Sequence, residues 1–277
     1  MLSGQASRTA VAAARYRAEH QEVDGGFLFR DPLARRVVGD VERQPEFLTE
    51  DARRRMRLFI ASRSRFAEDA LGDAVHSGTL QAMILGAGLD TFAYRNPHPD
   101  LRVVEVDHPD TQRWKQHRLT AAGIDIPASV TYVPIDFSHE SLDKALADAD
   151  FDSHAPVFVI WLGVTVYLTH EAITDTIHHL GGLASGTQVV FDYATAIPES
   201  TDEASAMADE RRRRLAAIGE PWISFFTPEE VSVLLRDNGF HIEEDVPASH
   251  LPYRYLGRRP PSPPTGPRVV RASVLGT

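Results

Sequence analysis

The period of the apolar positions changes near residue 79, and that change divides the chain. Before it the pattern is helical. Ala6–Glu19 reads as a short helix, and an irregular stretch with Gly25-Gly26 follows. Asp31-Pro32 then starts another helix, with the aspartate as N-cap and the proline at the first helical position. Residues 49–75 carry one long helical pattern beginning near Thr49. No strand is convincing up to this point, so residues 1–76 are predicted to form a helical arm or cap.

From Thr79 onward, strands alternate with helices. Thr79–Leu85 is a mostly apolar run that stops at Gly86-Ala87-Gly88, and Leu101–Asp107 is a second strand ending in an acid. A helix lies between Pro109 and Ala122, with proline near its start and Gly123 beyond its end. Val130–Phe137 is the third strand, after which Ser138 can cap a helix that runs on toward Ala149. Val157–Trp161 is short and wholly apolar, as a strand buried on both faces should be. Thr169 caps a helix that reaches Leu180 and closes at Gly181-Gly182, and Thr187–Tyr193 is the fifth strand. The predicted core for a bound nucleoside therefore spans residues 79–193.

Residues 194–226 break the rhythm and read as an insertion that covers a substrate. Residues 227–277 return to the core. Thr227-Pro228-Glu229-Glu230 is a capping box with proline in the first turn, and its helix ends near Asn238-Gly239. His241–Val246 is predicted as an edge strand and Val269–Leu275 as a final strand. The proline-rich residues 258–267 between them can supply neither ladder nor helix, so they read as a stiff surface loop. The whole is an α/β fold, a mostly parallel sheet with helices on both faces.

Composition narrows the class. The chain has 277 residues, 43% of them hydrophobic, with 29 Lys+Arg against 39 Asp+Glu and a net charge of -10. This suits one soluble globular domain. With no Cys, disulfides and Cys-ligated metals are excluded. No apolar run approaches the roughly 18 residues of a membrane helix, so the default expectation is a cytoplasmic protein without a membrane partner. The acidic balance argues against nucleic acid as a partner. The arginine clusters 53–55 and 211–214 sit in helical contexts with acids nearby and read as solvated faces. No metal-ligand spacing recurs.

The chemistry concentrates after the first strand. Gly86, Ala87 and Gly88 allow a sharp turn and close approach of a ligand, and Asp107 lies 19 residues beyond Gly88 at the end of strand two. A carboxylate there can accept both hydroxyls of an adenosyl ribose; the alternative is a helix N-terminal acid beside His108-Pro109. The third glycine of a dinucleotide fingerprint is absent, and Asp90 would repel a pyrophosphate. A cationic, phosphate-free cofactor such as S-adenosyl-L-methionine suits the loop better than a nicotinamide dinucleotide. Asp136 and Phe137 end strand three, where they can meet the adenine or, alternatively, cap the next helix. Trp161 and Leu162 end strand four at the edge of the same crevice.

Several segments together resemble the leucine carboxyl methyltransferase family, in its bacterial branch of S-adenosylmethionine-dependent O-methyltransferases associated with polyketide and other secondary metabolism. They are Ala14-Arg15, Asp31–Ala34, Ala61–Phe66, Leu85–Arg95, Val104–Asp107, Pro134–Phe137 and Gly163–Thr169. The resemblance implies a class I, Rossmann-like methyltransferase fold with a seven-stranded sheet, a helical arm closing over the cofactor and a lid at 194–226. It implies Arg63 for the methionyl carboxylate, Gly86 and Gly88 for the glycine loop, Asp107 for the ribose, Asp136 with Phe137 for the adenine, and Tyr167 near a small-molecule acceptor. Tyr193 and Trp222 are further candidates for lining that pocket. Where the family has an acid before the strand-four glycine, this chain has Leu162; Asp90 or a backbone carbonyl would then hold the cofactor's amino end, or catalysis would be altered. A carboxylate acceptor needs no general base, whereas an alcohol or phenol does, and His108, His170 and His250 are the histidines near pocket elements.

Overall fold

The computed structural model describes residues 7–41, 49–137, 140–146, 149, 151–195 and 222–276. Its frame is a seven-stranded sheet in the order β3-β2-β1-β4-β5-β7-β6, built from β1 (Gln81–Leu85), β2 (Arg102–Asp107), β3 (Val130–Pro134), β4 (Phe158–Trp161), β5 (Gln188–Tyr193), β6 (Phe240–Pro247) and β7 (Arg268–Val274). The first five strands run parallel, and β7 lies antiparallel between β5 and β6. Every residue of β1 and β4 is buried, as the mostly apolar run of β1 and the wholly apolar run of β4 foretell. This is the class I, Rossmann-like methyltransferase fold.

Alternate side chains feed two cores. On one face, Leu85, Val106, Trp161, Phe191 and Tyr193 pack against α5 (Leu142–Leu146), α6 (His170–Gly181) and α7 (Pro228–Asp237). On the other, Ile84, Val103, Phe158, Ile160 and Val190 pack against α1 (Arg8–Val23), α3 (Glu50–His76) and α8 (Leu251–Leu256). Phe158 is fully buried, so Phe158→Ala would cost about 3–5 kcal/mol through the void it leaves.

Several helix starts follow their sequence signals. Thr49, Thr169 and Thr227 accept backbone N–H groups at the heads of α3, α6 and α7, and Glu230 closes the capping box. His108 caps α4 (Pro109–Ala121). One start is displaced. α2 (Ala34–Val38) begins three residues after Asp31, because the aspartate lies in a preceding turn where Oδ1 takes the N–H groups of Leu33 and Ala34. The strand expected to reach Phe137 stops at Pro134, a residue without a ladder donor. Ser138 and residues 196–221 of the expected insertion lie outside the described residues. α8 was not expected; it occupies the chain just before the proline-rich loop.

Candidate active site

The parallel strands end together along one edge of the sheet, the edge at which open α/β folds bind their ligands. β1 leaves this edge through Gly86 and Gly88, with φ of +63° and +46°. An L side chain adopts such angles only with strain. Gly86 and Ala87 donate their N–H groups to the Val106 carbonyl at 2.7 and 3.1 Å, folding the turn back on β2. There is also no room for a side chain. A Cβ on Gly86 would overlap the Val164 side chain, and one on Gly88 would lie 3.0 Å from the Ala10 Cβ of α1. The turn runs into a three-residue 3₁₀ helix, Phe92–Tyr94, and in the turn just before it Asp90 Oδ1 accepts the Phe92 N–H at 2.7 Å. The long helix N-terminus that a pyrophosphate site uses does not follow it.

Asp107 sits at the mouth of this turn. One carboxylate oxygen accepts the Gly88 N–H and the other accepts the His108 N–H at 2.6 Å. Burial raises its pKa above the ordinary carboxylate range, while the two backbone donors oppose that shift. His108 Nδ1 accepts the Asp110 N–H at 3.2 Å, so its proton lies on Nε2, 4.0 Å from Asp136 Oδ2. Asp107, His108 and Asp136 are thus brought together, and Phe137, next in sequence, is partly buried against the core. Trp161 is fully buried beside Phe191, and its indole N–H has no partner among the described residues. Leu162 packs on the opposite face of the sheet.

A second group lies along β4 and β5. Arg63 of α3 and Asp192 of β5 form a buried ion pair, and the other Asp192 oxygen accepts the Gly163 N–H. Thr165 donates to the Asp192 carbonyl at 2.6 Å. Gly163, with φ of +74°, brings its backbone so close to Arg63 that a Cβ would lie 2.9 Å from Nη2. Asp192 escaped the sequence reading. Its signal was a carboxylate inside the otherwise apolar run Val189-Val190-Phe191-Asp192-Tyr193.

The loop after β4 forms a wall. Trp222 Nε1 donates to the Tyr167 hydroxyl at 3.3 Å, and the Ile223 nitrogen to the Val166 carbonyl at 2.8 Å. Ser224 bonds the Leu168 carbonyl, and Phe226 stacks on His170 at 4.3 Å. Tyr193 is not brought to this pair. Its hydroxyl donates to Asp245 of β6 at 2.8 Å, beside Arg268.

The arm is tied to the glycine loop through a buried hub that sequence reasoning also missed. Asp31 is fully buried; Oδ2 takes the Arg17 Nε–H at 2.8 Å and Oδ1 the Thr91 hydroxyl at 2.6 Å, with Arg95 Nε 3.6 Å away. Burial would raise the Asp31 pKa, but Arg17 and Arg95 outweigh it and the carboxyl stays below its usual range. Arg17 also donates to the Leu89 carbonyl at 2.6 Å. Arg95 forms a two-pronged pair with Glu68 of α3. Among the described residues, no group of three or more His, Asp or Glu could hold a metal ion, and no helix is long and apolar enough to cross a membrane.

Known proteins agree with this architecture. The family model for leucine carboxyl methyltransferase matches residues 10–181. The chain is 30% identical over 274 residues to YktD of Bacillus subtilis, assigned as an S-adenosyl-L-methionine-dependent methyltransferase, covering 89% of this chain and 90% of that one. It is 33% identical over 211 residues to a similarly assigned protein of Streptomyces coelicolor, covering 69% and 74%. Among solved structures, it is similar in fold to a methyltransferase assigned from Thermobifida fusca, with a TM-score of 0.60, 17% identity and coverage of 99% and 97%. Magnesium protoporphyrin IX methyltransferase from Synechocystis, solved with S-adenosylhomocysteine, gives a TM-score of 0.50 at 13% identity, covering 95% and 99%. With a glycine turn closed on an acid one strand over and a family match across well over half its length, this chain belongs to the leucine carboxyl methyltransferase family and is an S-adenosylmethionine-dependent methyltransferase.

Proposed function

We propose that the enzyme is an O-methyltransferase that acts on a small-molecule carboxylate or hydroxyl, in the secondary-metabolism branch that its motifs resemble. The observation that carries the cofactor half is the pinning of Asp107 by the Gly88 and His108 N–H groups, which holds a carboxylate rigidly at the mouth of the turn. The donor set fits an adenosyl group. Carboxylates suit ribose hydroxyls and an exocyclic amine, and the glycine turn allows close backbone approach. In this reading Asp107 holds the ribose, with His108, Gly86, Ala87 and Gly88 around it. Asp136 and Phe137 hold the adenine and Arg63 takes the methionyl carboxylate, whereas Trp161 and Leu162, packed into the two cores, back the strand end and do not line the site directly. Asp90 shapes the loop by accepting the Phe92 N–H across the turn.

When bound, the cofactor supplies an electrophilic methyl group on sulfur. The protein's part is to hold an acceptor oxygen in line with that group and to keep water away. Tyr167 and Trp222 support an apolar wall for the acceptor, and residues 194–226 are proposed as its lid. The histidines considered as bases are engaged elsewhere: His108 caps α4, His170 stacks on Phe226 and His250 bonds the Pro261 carbonyl. That favours an acceptor already anionic at neutral pH, a carboxylate. The cytoplasm, where the cofactor is made, is the proposed compartment.

Calorimetry with S-adenosylmethionine, S-adenosylhomocysteine and NAD tests the cofactor half, and mass spectrometry of a carboxylate and phenol panel tests the acceptor half. Binding of both adenosyl compounds and not NAD is expected, with methyl esters among the products. Asp107→Ala should weaken adenosyl binding by about 1–3 kcal/mol by leaving the ribose hydroxyls unpaired; an unchanged dissociation constant refutes that role.

A further inference from the structure

The Arg63–Asp192 pair is a costly thing to keep inside a protein. Removing two charges from water costs several kcal/mol per ion, and a well-packed apolar pair is as stable or more so. Asp192 interrupts an otherwise apolar strand, and both side chains are about nine-tenths buried. The pair does not lie in mid-sheet. It sits at the end where the parallel strands finish, and contacts run from it through Gly163 and Val164 to Gly86 of the glycine turn.

Neither partner has its hydrogen-bonding capacity filled. Arg63 carries five N–H donors, of which one meets an acceptor among the described residues. The Asp192 carboxylate offers about four acceptor positions, and the Gly163 N–H and Arg63 use two. Register adds a further point. Trp161, the last residue of β4, pairs with Phe191, so position 162 follows just beyond the strand end next to Asp192 of β5. Leu162 offers no charge there, and Asp192 does.

The cofactor's amino-acid end is a zwitterion, an α-carboxylate beside an α-ammonium. With the Arg63 guanidinium already read as taking the carboxylate, we propose that the Asp192 carboxylate paired to it takes the ammonium. This rests on the reading of the glycine turn and Asp107 as the adenosyl site. Asp192 thus supplies from β5 the acid that position 162 lacks just after β4, and the Gly163 N–H keeps it aimed.

Titration calorimetry on three ligands tests the pair: S-adenosylhomocysteine with both charges, its decarboxylated amine analogue with the ammonium alone, and 5′-methylthioadenosine with neither. The wild-type protein should bind the amine analogue about tenfold or more tighter than methylthioadenosine, the least expected of one charge-assisted hydrogen bond. Asp192→Asn should lose about that factor for S-adenosylhomocysteine and for the amine. Methylthioadenosine should stay within about twofold, which a merely structural role could not achieve. Arg63→Gln should weaken S-adenosylhomocysteine and spare the amine, and Asp192→Glu should recover part of the lost affinity. Equal weakening of all three ligands by Asp192→Asn overturns the proposal, as does an unchanged affinity for the amine. If that variant does not fold, a wild-type protein that fails to prefer the amine over methylthioadenosine overturns it alone. A protein that binds none of the three removes the adenosyl reading itself, and this proposal with it.

Discussion

Asp31→Asn removes the charge that faces Arg17 and, at 3.6 Å, Arg95, while keeping most of its hydrogen bonds. Three donors, the Leu33 and Ala34 N–H groups and the Thr91 hydroxyl, all bond Oδ1, which asparagine retains. Oδ2, which takes the Arg17 guanidinium, becomes an amide that faces it donor to donor. The Arg17 side chain is 7% exposed and Asp31 is fully buried, so water cannot replace the lost partner. Breaking a buried pair from one side costs about 3–5 kcal/mol. At about 2–4 °C per kcal/mol for a large domain, the melting midpoint should fall by at least about 6 °C in scanning calorimetry. Arg17 also holds the Leu89 carbonyl, so affinity for S-adenosylhomocysteine should fall with the stability. Removing both charges in Asp31→Asn with Arg17→Met should recover most of the loss, since the penalty is the unpaired charge and not the absent attraction. A single variant within about 1 kcal/mol of wild type would refute the hub, as would strict additivity of the two changes.

Gly86→Ala should destabilise by about 2 kcal/mol or more, from the left-handed backbone and the overlap with Val164, and Val164→Ala should relieve only the steric part in urea unfolding. Lys115→Met strands the fully buried Glu105, to which the ammonium donates twice at 2.8 Å; a loss of about 3–5 kcal/mol is expected, with Glu105→Gln in the same chain restoring most of it. His20 is buried and its pKa is lowered, chiefly by desolvation against the pull of Asp24. Its Nε2 accepts the Leu28 N–H at 3.2 Å, which only the neutral ring can do. The unfolded chain therefore binds the proton first. Stability should fall as pH drops below about 6.5, by about 1.4 kcal/mol per unit of depression, and thermal melts of His20→Gln should show a smaller acid dependence.

Local signals carried most of the architecture. Period, caps and glycine turns act over a few residues, so the five parallel strands and the heads of α3, α6 and α7 were all legible. Pairings across long sequence separations were not. Nothing local to Val269–Leu275 says that it enters the sheet between β5 and β6. Nothing near Tyr193 announces Asp245, 52 residues on. Asp31 misled for a physical reason. A carboxylate before a proline looks like a cap, and it does bond the next turn's N–H groups, yet its second oxygen serves Arg17 and the helix starts later. At the candidate site, Gly86, Gly88 and Asp107 stand together as expected because strand ends and turns place them. Asp192 and Val164 matter through neighbours that only the folded sheet supplies.

The position of β7 has a consequence for synthesis. Residues 268–274 emerge from the ribosome after the other six strands of this sheet, yet they are the ones that join β5 to β6. Until they arrive, the nascent sheet shows an unpaired edge on β5 and has nowhere to attach the hairpin partner β6. That edge is apolar and invites pairing with another chain. Truncations just before Arg268 should therefore aggregate during translation and not merely lose stability, and chaperone contact should persist until the final strand slots in.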